Sequence, residues 1–591
     1  MPKRDLNTSC FELDTSEENA ERSSVTQIQK NKQKIIHTLK SVTLTPIGGV
    51  WNWQETSLTW SCTKLKITRN WNQPINILID FGMHQWWEEE RTIELNKEIP
   101  FNPSKIDATI LTHAHVDHIW KIPMLVNQEW KEFFWPLYAT KVTSLLSFLI
   151  LEDSAKIMEE EYNSTNERAS KLKKTLRNQL TKLKELQEIL DNSFHKKSNS
   201  RQNKLKKVKN EYWNDRNKMK KKLEEIKPIL DSHWVESAGD IANIMESEIK
   251  KAEDKVLFSK NDVNKVLSHL VQTSLYERKE IFPGVYLRFF EAAHIMWSWQ
   301  VILEIDKWDW SMFTMWFSWD VGRFFQPWYL WKPDIPDVPF DFYQIESTYW
   351  DRLHKPREAE HQIMWEKINQ IYQRGWKIVI PCFMVQRLQD VAVFLIKMME
   401  EWQIPKMNIY YDGAYVENIN NIFRFSNNEN YKKLWNKILK PVEDSNKSNK
   451  FIKSKKACIL LSPSGMMNWG SIQKYIKPIL SKSKNALFFV WYQAKWTHGR
   501  KIQEWTKKIK IKELWDVQIN SQVESFGSFS AHWDKDDLMY LISELDMKKD
   551  SNVLVNHWEK WHWQDELVKS LQKANFESST ASKIWQTYKI Y

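Results

Sequence analysis

Glycine is almost missing from this chain. There are 12 glycines in 591 residues, where average usage of about 7% would give roughly 41. Tight turns and close backbone approaches need residues that tolerate positive φ, so so few glycines are hard to reconcile with a large folded protein. Cysteine is scarce too. Cys10, Cys62, Cys382 and Cys458 lie far apart and form no CxxC pair. That excludes a disulfide scaffold and a cysteine-based zinc site, and it fits a reducing cytoplasm. No apolar run reaches the length of a membrane span, so no membrane association is expected. Residues 1–40 are polar and charged without an apolar stretch, which reads as a flexible tail rather than a secretory signal.

Tryptophan is abundant instead, with 34 residues. The 12 glycines and 34 tryptophans together come close to the expected glycine number, with a few tryptophans to spare. Trp86 and Trp87 fall in polar, loop-like text, and Trp558, Trp561 and Trp563 crowd together. The expectation is that many of these tryptophans are glycine in the native protein. This would follow if UGA codons read as glycine in the source were translated as tryptophan. The other reading is a truly tryptophan-rich chain, and UGG codons at these positions would establish it.

The length predicts two or three domains. The net charge of +11 suits a polyanionic partner, although a Lys-rich insert could supply much of it. β-Branched runs at 42–44, 65–67, 75–79 and 108–112 predict strands. Residues 163–230 read as a helical hairpin. Leu205, Val208, Tyr212, Met219, Leu223 and Ile226 form a heptad seam, and Leu172, Leu176, Leu180, Leu183 and Leu186 form a second stripe. A polar hinge at 195–203 divides them. The hairpin's lysines read first as a solvated face and second as an arm for RNA or protein. From about Asp351, helix and strand alternate: helix 363–373, strand 377–381, helix 386–400, strand 408–411, strand 458–462. That alternation predicts a separate α/β unit with a parallel sheet. Residues 487–492 and 553–555 read as strands rejoining the first domain.

The chemistry concentrates in Thr112-His113-Ala114-His115-Val116-Asp117-His118. Neutral imidazoles and carboxylates suit borderline and hard divalent cations. His113 and His115 sit two apart beyond a strand, so extended backbone aims both the same way. Asp117 and His118 follow on the turn into a helix. His294, Asp320 and His532 each follow strand-like text and complete a set for two ions. Singly each would read as a loop-capping residue.

These segments resemble, in order, the β-CASP branch of metallo-β-lactamase nucleases, the group that includes RNase J and the cleavage-and-polyadenylation endonuclease. The matching segments are Ile79-Asp80-Phe81-Gly82-Met83, the 113–118 cluster, Ala293-His294-Ile295-Met296, Phe317–Asp320, Glu346-Ser347-Thr348-Tyr349, Ile380–Arg387, Ser464–Met467 and Phe529–His532. The resemblance covers nearly all of 40–591. Trp60, Trp120, Trp297, Trp319, Trp350, Trp469, Trp491, Trp496 and Trp533 stand where the family pattern has glycine. The implied fold is α/β: an αββα metallo-β-lactamase sandwich with an inserted α/β β-CASP domain and the hairpin insertion. The expected division is a tail at 1–40, a first sandwich part at 41–350 containing the 163–230 hairpin, a β-CASP domain at 351–485, and a second sandwich part at 486–591.

The resemblance implies a metal-dependent hydrolase that cuts RNA, as an endonuclease or 5′ exonuclease, with 5′-phosphate and 3′-hydroxyl products. Two divalent ions are expected, zinc first and manganese as the alternative. His113, His115 and His294 are assigned to one ion, Asp117, His118 and His532 to the other, with Asp320 bridging. Asp80 props the metal-site loop. Asp117 also orients the attacking hydroxide, and Glu346 orients a ligand or proton donor. His498 is the candidate to protonate the leaving oxygen. Arg387, Lys495 and Arg500 are candidate phosphate contacts, with ordinary surface charge as their alternative. Two-ion hydrolysis does not need the ribose 2′-OH, so a DNA nuclease of the same branch shares every motif. A small-molecule hydrolase would not need the 351–462 insertion, and an inactive scaffold would be expected to have lost ligands. A homodimer is left open.

Overall fold

The computed structural model describes residues 38–591 except 193–206, most of 216–245, and short segments including 49–50, 53–56, 59–60, 71–72, 85–88, 127–134, 325–331, 495–496 and 557–560. Residues 1–37 of the expected tail, the hairpin hinge and Lys495 therefore lie outside the described residues, and Leu39 and Lys40, counted with the tail in the sequence, instead open the strand Leu39–Pro46. No helix among the described residues is long and apolar enough to cross a membrane.

Alternating text in the first part of the chain builds strands with one buried face. In Val285–Glu291, Val285, Leu287 and Phe289 are buried, while Tyr286, Arg288 and Phe290 between them are only partly so. Trp299–Asp306 is buried on both faces, because it lies inside a sheet covered on each side. Two seven-stranded sheets result. The first runs in the order Tyr588–Lys589, Leu39–Pro46, Thr63–Arg69, Ile75–Ile79, Ala108–Ile110, Leu137–Ala139, Leu270–Gln272. The second runs Ser579–Ala581, Met547–Asn556, Phe340–Glu346, Met312–Trp319, Trp299–Asp306, Val285–Glu291, Lys279–Phe282.

The sheets share one core. Leu44, Ile67, Ile79 and Ile110 of the first pack with Leu287, Val301, Met315 and Phe342 of the second. On the second sheet's other face, Ile302, Tyr343 and Val553 pack with Leu538 and Leu541 of the Lys535–Glu544 helix and Leu567 and Leu571 of the Trp561–Lys573 helix. This is the layered α/β sandwich expected from the sequence.

The third sheet has six strands, all pairing parallel, in the order Leu439–Val442, Asn408–Asp412, Cys458–Ser462, Lys377–Pro381, Ala486–Phe489, Gln522–Ser525. Its central strands and the helices Arg357–Gln373 and Arg387–Glu400 fall where the alternation predicts. The strand at Ala486–Phe489 is a correction. It pairs with Lys377–Pro381 and Gln522–Ser525 rather than rejoining the first domain. A four-residue run buried on both faces reads alike in either sheet, so sequence alone could not assign it.

The chain forms two compact units, one of 1–150, 264–509 and 517–591, the other of 151–263 and 510–516. All three large sheets belong to the first. In the second, the helix starting at Lys141 continues to Asn192. Lys182 pairs with Glu211 at 3.2 Å and Asp215 at 2.6 Å. Most of the expected return limb, including Met219–Ile226, lies outside the described residues.

Among the described residues, twelve non-glycine positions have positive φ, and six are tryptophans: Trp297, Trp308, Trp310, Trp319, Trp402 and Trp585, with φ from 46 to 68°. The indole N–H groups of Trp316, Trp319 and Trp533 are buried without a hydrogen-bond partner. Trp299, by contrast, donates to Thr140 and Thr143 hydroxyls at 3.0 and 2.7 Å. Trp561 and Trp563, which crowd together with Trp558 in the sequence, lie at the start of the helix Trp561–Lys573.

Candidate metal centre

The strand Ala108–Ile110 ends in Leu111-Thr112, and the chain then turns through His113–His115 into the short Val116–Ile119 helix. Asp80, at the end of the neighbouring parallel strand, fixes that turn. Its carboxylate accepts from Thr112 N at 2.9 Å and from the Thr112 hydroxyl at 2.6 Å. The His118 Nδ1 lies 2.7 Å from Asp80 Oδ2. A buried carboxylate on Nδ1 leaves Nε2 to point the other way.

Gly82 is the glycine this turn cannot do without. A Cβ there would lie 1.5 Å from the Asp117 carbonyl oxygen. The same close approach lets Ser61 N bond to Asp117 O at 2.9 Å and Met83 N bond to Val116 O at 3.2 Å.

The His294 loop enters from the second sheet. Ser298 Oγ accepts from His294 N at 3.0 Å and donates to Ile295 O at 2.8 Å, closing the loop on itself. Ala293 takes a positive φ of 53°, and its N–H is held by Glu291 Oε1 at 2.9 Å. Met296 N donates to Gln386 Oε1 at 2.9 Å, tying the loop to the parallel-sheet part of the chain. Asp320 follows the strand Met312–Trp319, and an isolated bridge between Gly322 and His532 brings the last histidine alongside.

The side chains meet at Asp320 Oδ2. It lies 3.7 Å from His113 Nε2, 3.4 Å from His118 Nε2 and 3.5 Å from His294 Nε2. His115 Nδ1 lies 3.1 Å from His113 Nε2 and 3.3 Å from His294 Nε2. One donor atom each from His113, His115, His294 and Asp320 lie within 4.8 Å of one another, and so do one each from Asp320, Glu346 and His532. Nitrogen lone pairs converging at such distances suit a shared cation, and the donor set fits a divalent metal.

Burial keeps the histidines of the first group neutral, with neighbouring imidazoles adding to the effect. The pKa of His115 falls to about 3, and those of His113 and His294 fall well below the usual value. A neutral imidazole is the form that binds metal. Burial opposes protonation of His118 and His532 as well, yet carboxylates outweigh it and raise both: Asp320 and Asp80 at His118, Glu346 and Asp320 at His532. Asp320 is held well below its usual range because His118 outweighs its burial.

The remaining candidates are distributed unevenly. Asp117 and His118 fall in neither four-ångström-scale donor group. Glu346 stands in the second, with Oε1 3.2 Å from His532 Nδ1 and accepting from Val321 N at 3.1 Å. Arg387, the first residue of the Arg387–Glu400 helix, is buried, ion-pairs with Asp390 at 3.6 Å, and its charge helps lower the pKa of His115. His498 opens the His498–Gln503 helix, with its ring 3.3 Å from Met467 O and its N–H on Asn468. Arg500 pairs with Glu504 at 2.7 Å. Neither His498 nor Arg500 is among the donor groups.

Two roles were not legible in the sequence. His354 Nε2 lies 2.9 Å from the His532 carbonyl, and its N–H donates to Asp534 at 3.0 Å, so it braces the His532 segment. Gln386, at φ 68°, bonds Asp390 and Tyr431 as well as Met296. A lone histidine near a proline and a glutamine before a helix carry no signal of their own.

Three families match in order along the chain. Residues 75–136 match the metallo-beta-lactamase superfamily, 388–502 the Beta-Casp domain, and 516–572 the Zn-dependent metallo-hydrolase RNA specificity domain. The chain is 27% identical over 339 residues to the RNase J-like protein of Methanocaldococcus jannaschii, covering 56% of this chain and 74% of that protein. It is 24% identical over 475 residues to a ribonuclease of Thermus thermophilus, covering 78% and 84%. To the transcription termination factor FttA of M. jannaschii it is 28% identical over 331 residues, covering 52% of this chain and 51% of that factor.

Proposed function

Because the chain belongs to the β-CASP branch of the metallo-β-lactamase superfamily, we propose that it is a metal-dependent ribonuclease acting in RNA processing or decay. The observation that carries the reading is the convergence of three histidines on Asp320, one carboxylate oxygen within 3.7 Å of three imidazole nitrogens. The names of its relatives, RNase J-like protein and ribonuclease, support RNA as the substrate.

His113, His115, His294 and Asp320 would hold one divalent cation, and Asp320, Glu346 and His532, with His118 and Asp117 beside them, a second. Zinc is the ion this donor set suits best, with manganese next. Bound cations supply Lewis acidity to a phosphodiester and a lowered pKa to water. The chain's own residues do the rest. Asp80 sets the direction of His118, Ser298 and Glu291 hold the His294 loop, and His354 holds the His532 segment. The charge of Arg387 acts on His115, and it would offer a phosphate bound at the centre a fixed positive charge. We assign the protein to the cytoplasm on its sparse, widely spaced cysteines.

The test is cleavage of 5′-labelled single-stranded RNA with matched DNA as competitor, with zinc or manganese, beside His115→Ala and a chelator. Cleavage lost in both controls supports the reading. No cleavage of either polymer with metal demonstrably bound would turn the assignment to a small-molecule hydrolase or an inactive scaffold.

A further inference from the structure

The parallel-sheet part of the chain is electrically lopsided. Residues 351–430 carry ten basic and ten acidic residues, whereas 431–485 carry 13 lysines against Glu443 and Asp444 alone. A local net charge equal to that of the whole protein is costly through self-repulsion unless a polyanion meets it.

The structure turns this excess into a band. The Ser445–Lys453 helix buries Ser448 and Phe451. Ser448 Oγ lies 3.1 Å from Tyr475 OH, and the Phe451 and Tyr475 rings are 5.7 Å apart, so this helix packs beside the helical segment at 473–480. Lys447, Lys450 and Lys453, three apart, are exposed, as are Lys474 and Lys477 on the neighbouring segment. Among the described residues, Lys450, Lys453, Lys477 and Lys482 make no ion pair, and Lys474 has only a 3.9 Å contact with Asp412.

The band has a direction. Tyr475 OH donates to Asp412 at 2.6 Å, and Asp412 closes the strand Asn408–Asp412. That is the carboxyl end of the parallel sheet, the end from which the Phe383 ring comes within 6.5 Å of the His115 ring. From there the Ser445–Lys453 helix runs back about 13 Å at 1.5 Å per residue. It finishes at the opposite end, where Lys377 Nζ reaches the Ile452 carbonyl at 3.4 Å and Lys482 acts on Lys377.

We propose that this lysine band is an RNA track, which holds the phosphates of the strand lying outside the catalytic centre. The proposal rests on the ribonuclease reading and adds a binding surface to it. Phosphate is favoured over an acidic protein because protein interfaces are depleted in lysine and built around apolar anchors, whereas every exposed residue of 446–453 and 473–482 is lysine or asparagine.

The experiment uses the full chain with Lys450, Lys453, Lys477 and Lys482 all changed to Gln, and a counterpart with the same four changed to Arg. Binding of a long and a short fluorescent single-stranded RNA is measured against salt, with chelator present to hold off cleavage. Cleavage of both is then measured with metal. Each phosphate neutralised on a single strand contributes about 0.7 to the salt slope. The Gln protein is expected to lose roughly 2–3 units of slope on the long RNA and to bind it more than tenfold more weakly. The Arg protein keeps the slope, and both variants cleave the short RNA as the parent does. An unchanged slope in the Gln protein overturns the track, as does a loss that Arg fails to restore; an acidic protein partner would give the first result. If the parent binds RNA through the band but cleaves neither length, the track stands and the hydrolase reading falls.

Discussion

Four exposed tryptophans, Trp308, Trp310, Trp402 and Trp585, sit at φ of 58 to 68°. For an L-residue the left-handed region costs about 1–2 kcal/mol, and a bulky side chain gains nothing there from burial. Glycine removes that strain but brings about 0.5–1 kcal/mol of extra chain entropy in the unfolded state. The net gain from Trp→Gly is therefore about 0.5–1 kcal/mol per site, or roughly 2–4 kcal/mol for the four together. With a urea slope of about 2–3 kcal/mol per molar, the first unfolding transition should move up by about 1 M. The assay is urea unfolding followed by far-UV circular dichroism on the tryptophan chain and its four-glycine counterpart. Lysine substitutions at the same four sites are the control, since they relieve exposed apolar surface but not the backbone. Equal or lower midpoints for the glycine chain would refute the argument that these positions are built for glycine. UGG codons in the gene would refute recoding independently.

Asp80→Asn should keep the turn but weaken the hold on His118, lowering metal affinity by about 10–100-fold in chelator competition; unchanged affinity would remove Asp80 from its positioning role. Gly82→Ala drives a Cβ to 1.5 Å from the Asp117 carbonyl, so the variant should lose metal binding measured by elemental analysis, and full occupancy would contradict the geometry. Glu291 is pushed up to about 8, chiefly by burial. Its proton is held more tightly folded than unfolded, so stability falls as pH rises from about 4.3 through about 8. Glu291→Gln should flatten that fall, and a pH–stability profile identical to the parent's would sink the assignment.

Much of this was legible in the sequence because the chemistry is local. The 113–118 cluster follows its strand directly, and its ligand types declare themselves within six residues. Short apolar runs between helix-like stretches likewise marked Lys377–Pro381 and Cys458–Ser462, which are buried throughout. The edge strands Leu439–Val442 and Gln522–Ser525 were not legible: they are four residues long, and polar or half-buried positions blur their period. The lysine band was equally hidden, since its charges come from separate segments that only the packing of Phe451 against Tyr475 brings side by side.

The same distinction explains why His354 and Gln386 were missed while Asp80 was not. Asp80 works through its immediate neighbour strand, and its partners Thr112 and His118 lie in the next motif along the sheet. Gln386 and His354 act across the chain, on the backbones of Met296 and His532 respectively. Backbone acceptors and donors have no residue identity, so no sequence pattern can report such a contact. Yet these two bonds join the parallel-sheet part of the chain to the two loops that carry His294 and His532. The inserted sheet therefore has a second task besides offering a surface for nucleic acid. It adds one tie to each of two loops that the sandwich already holds, through Ser298 and Glu291 at His294 and through the Gly322 bridge at His532, which links the geometry of the metal centre to the domain that would bind the substrate.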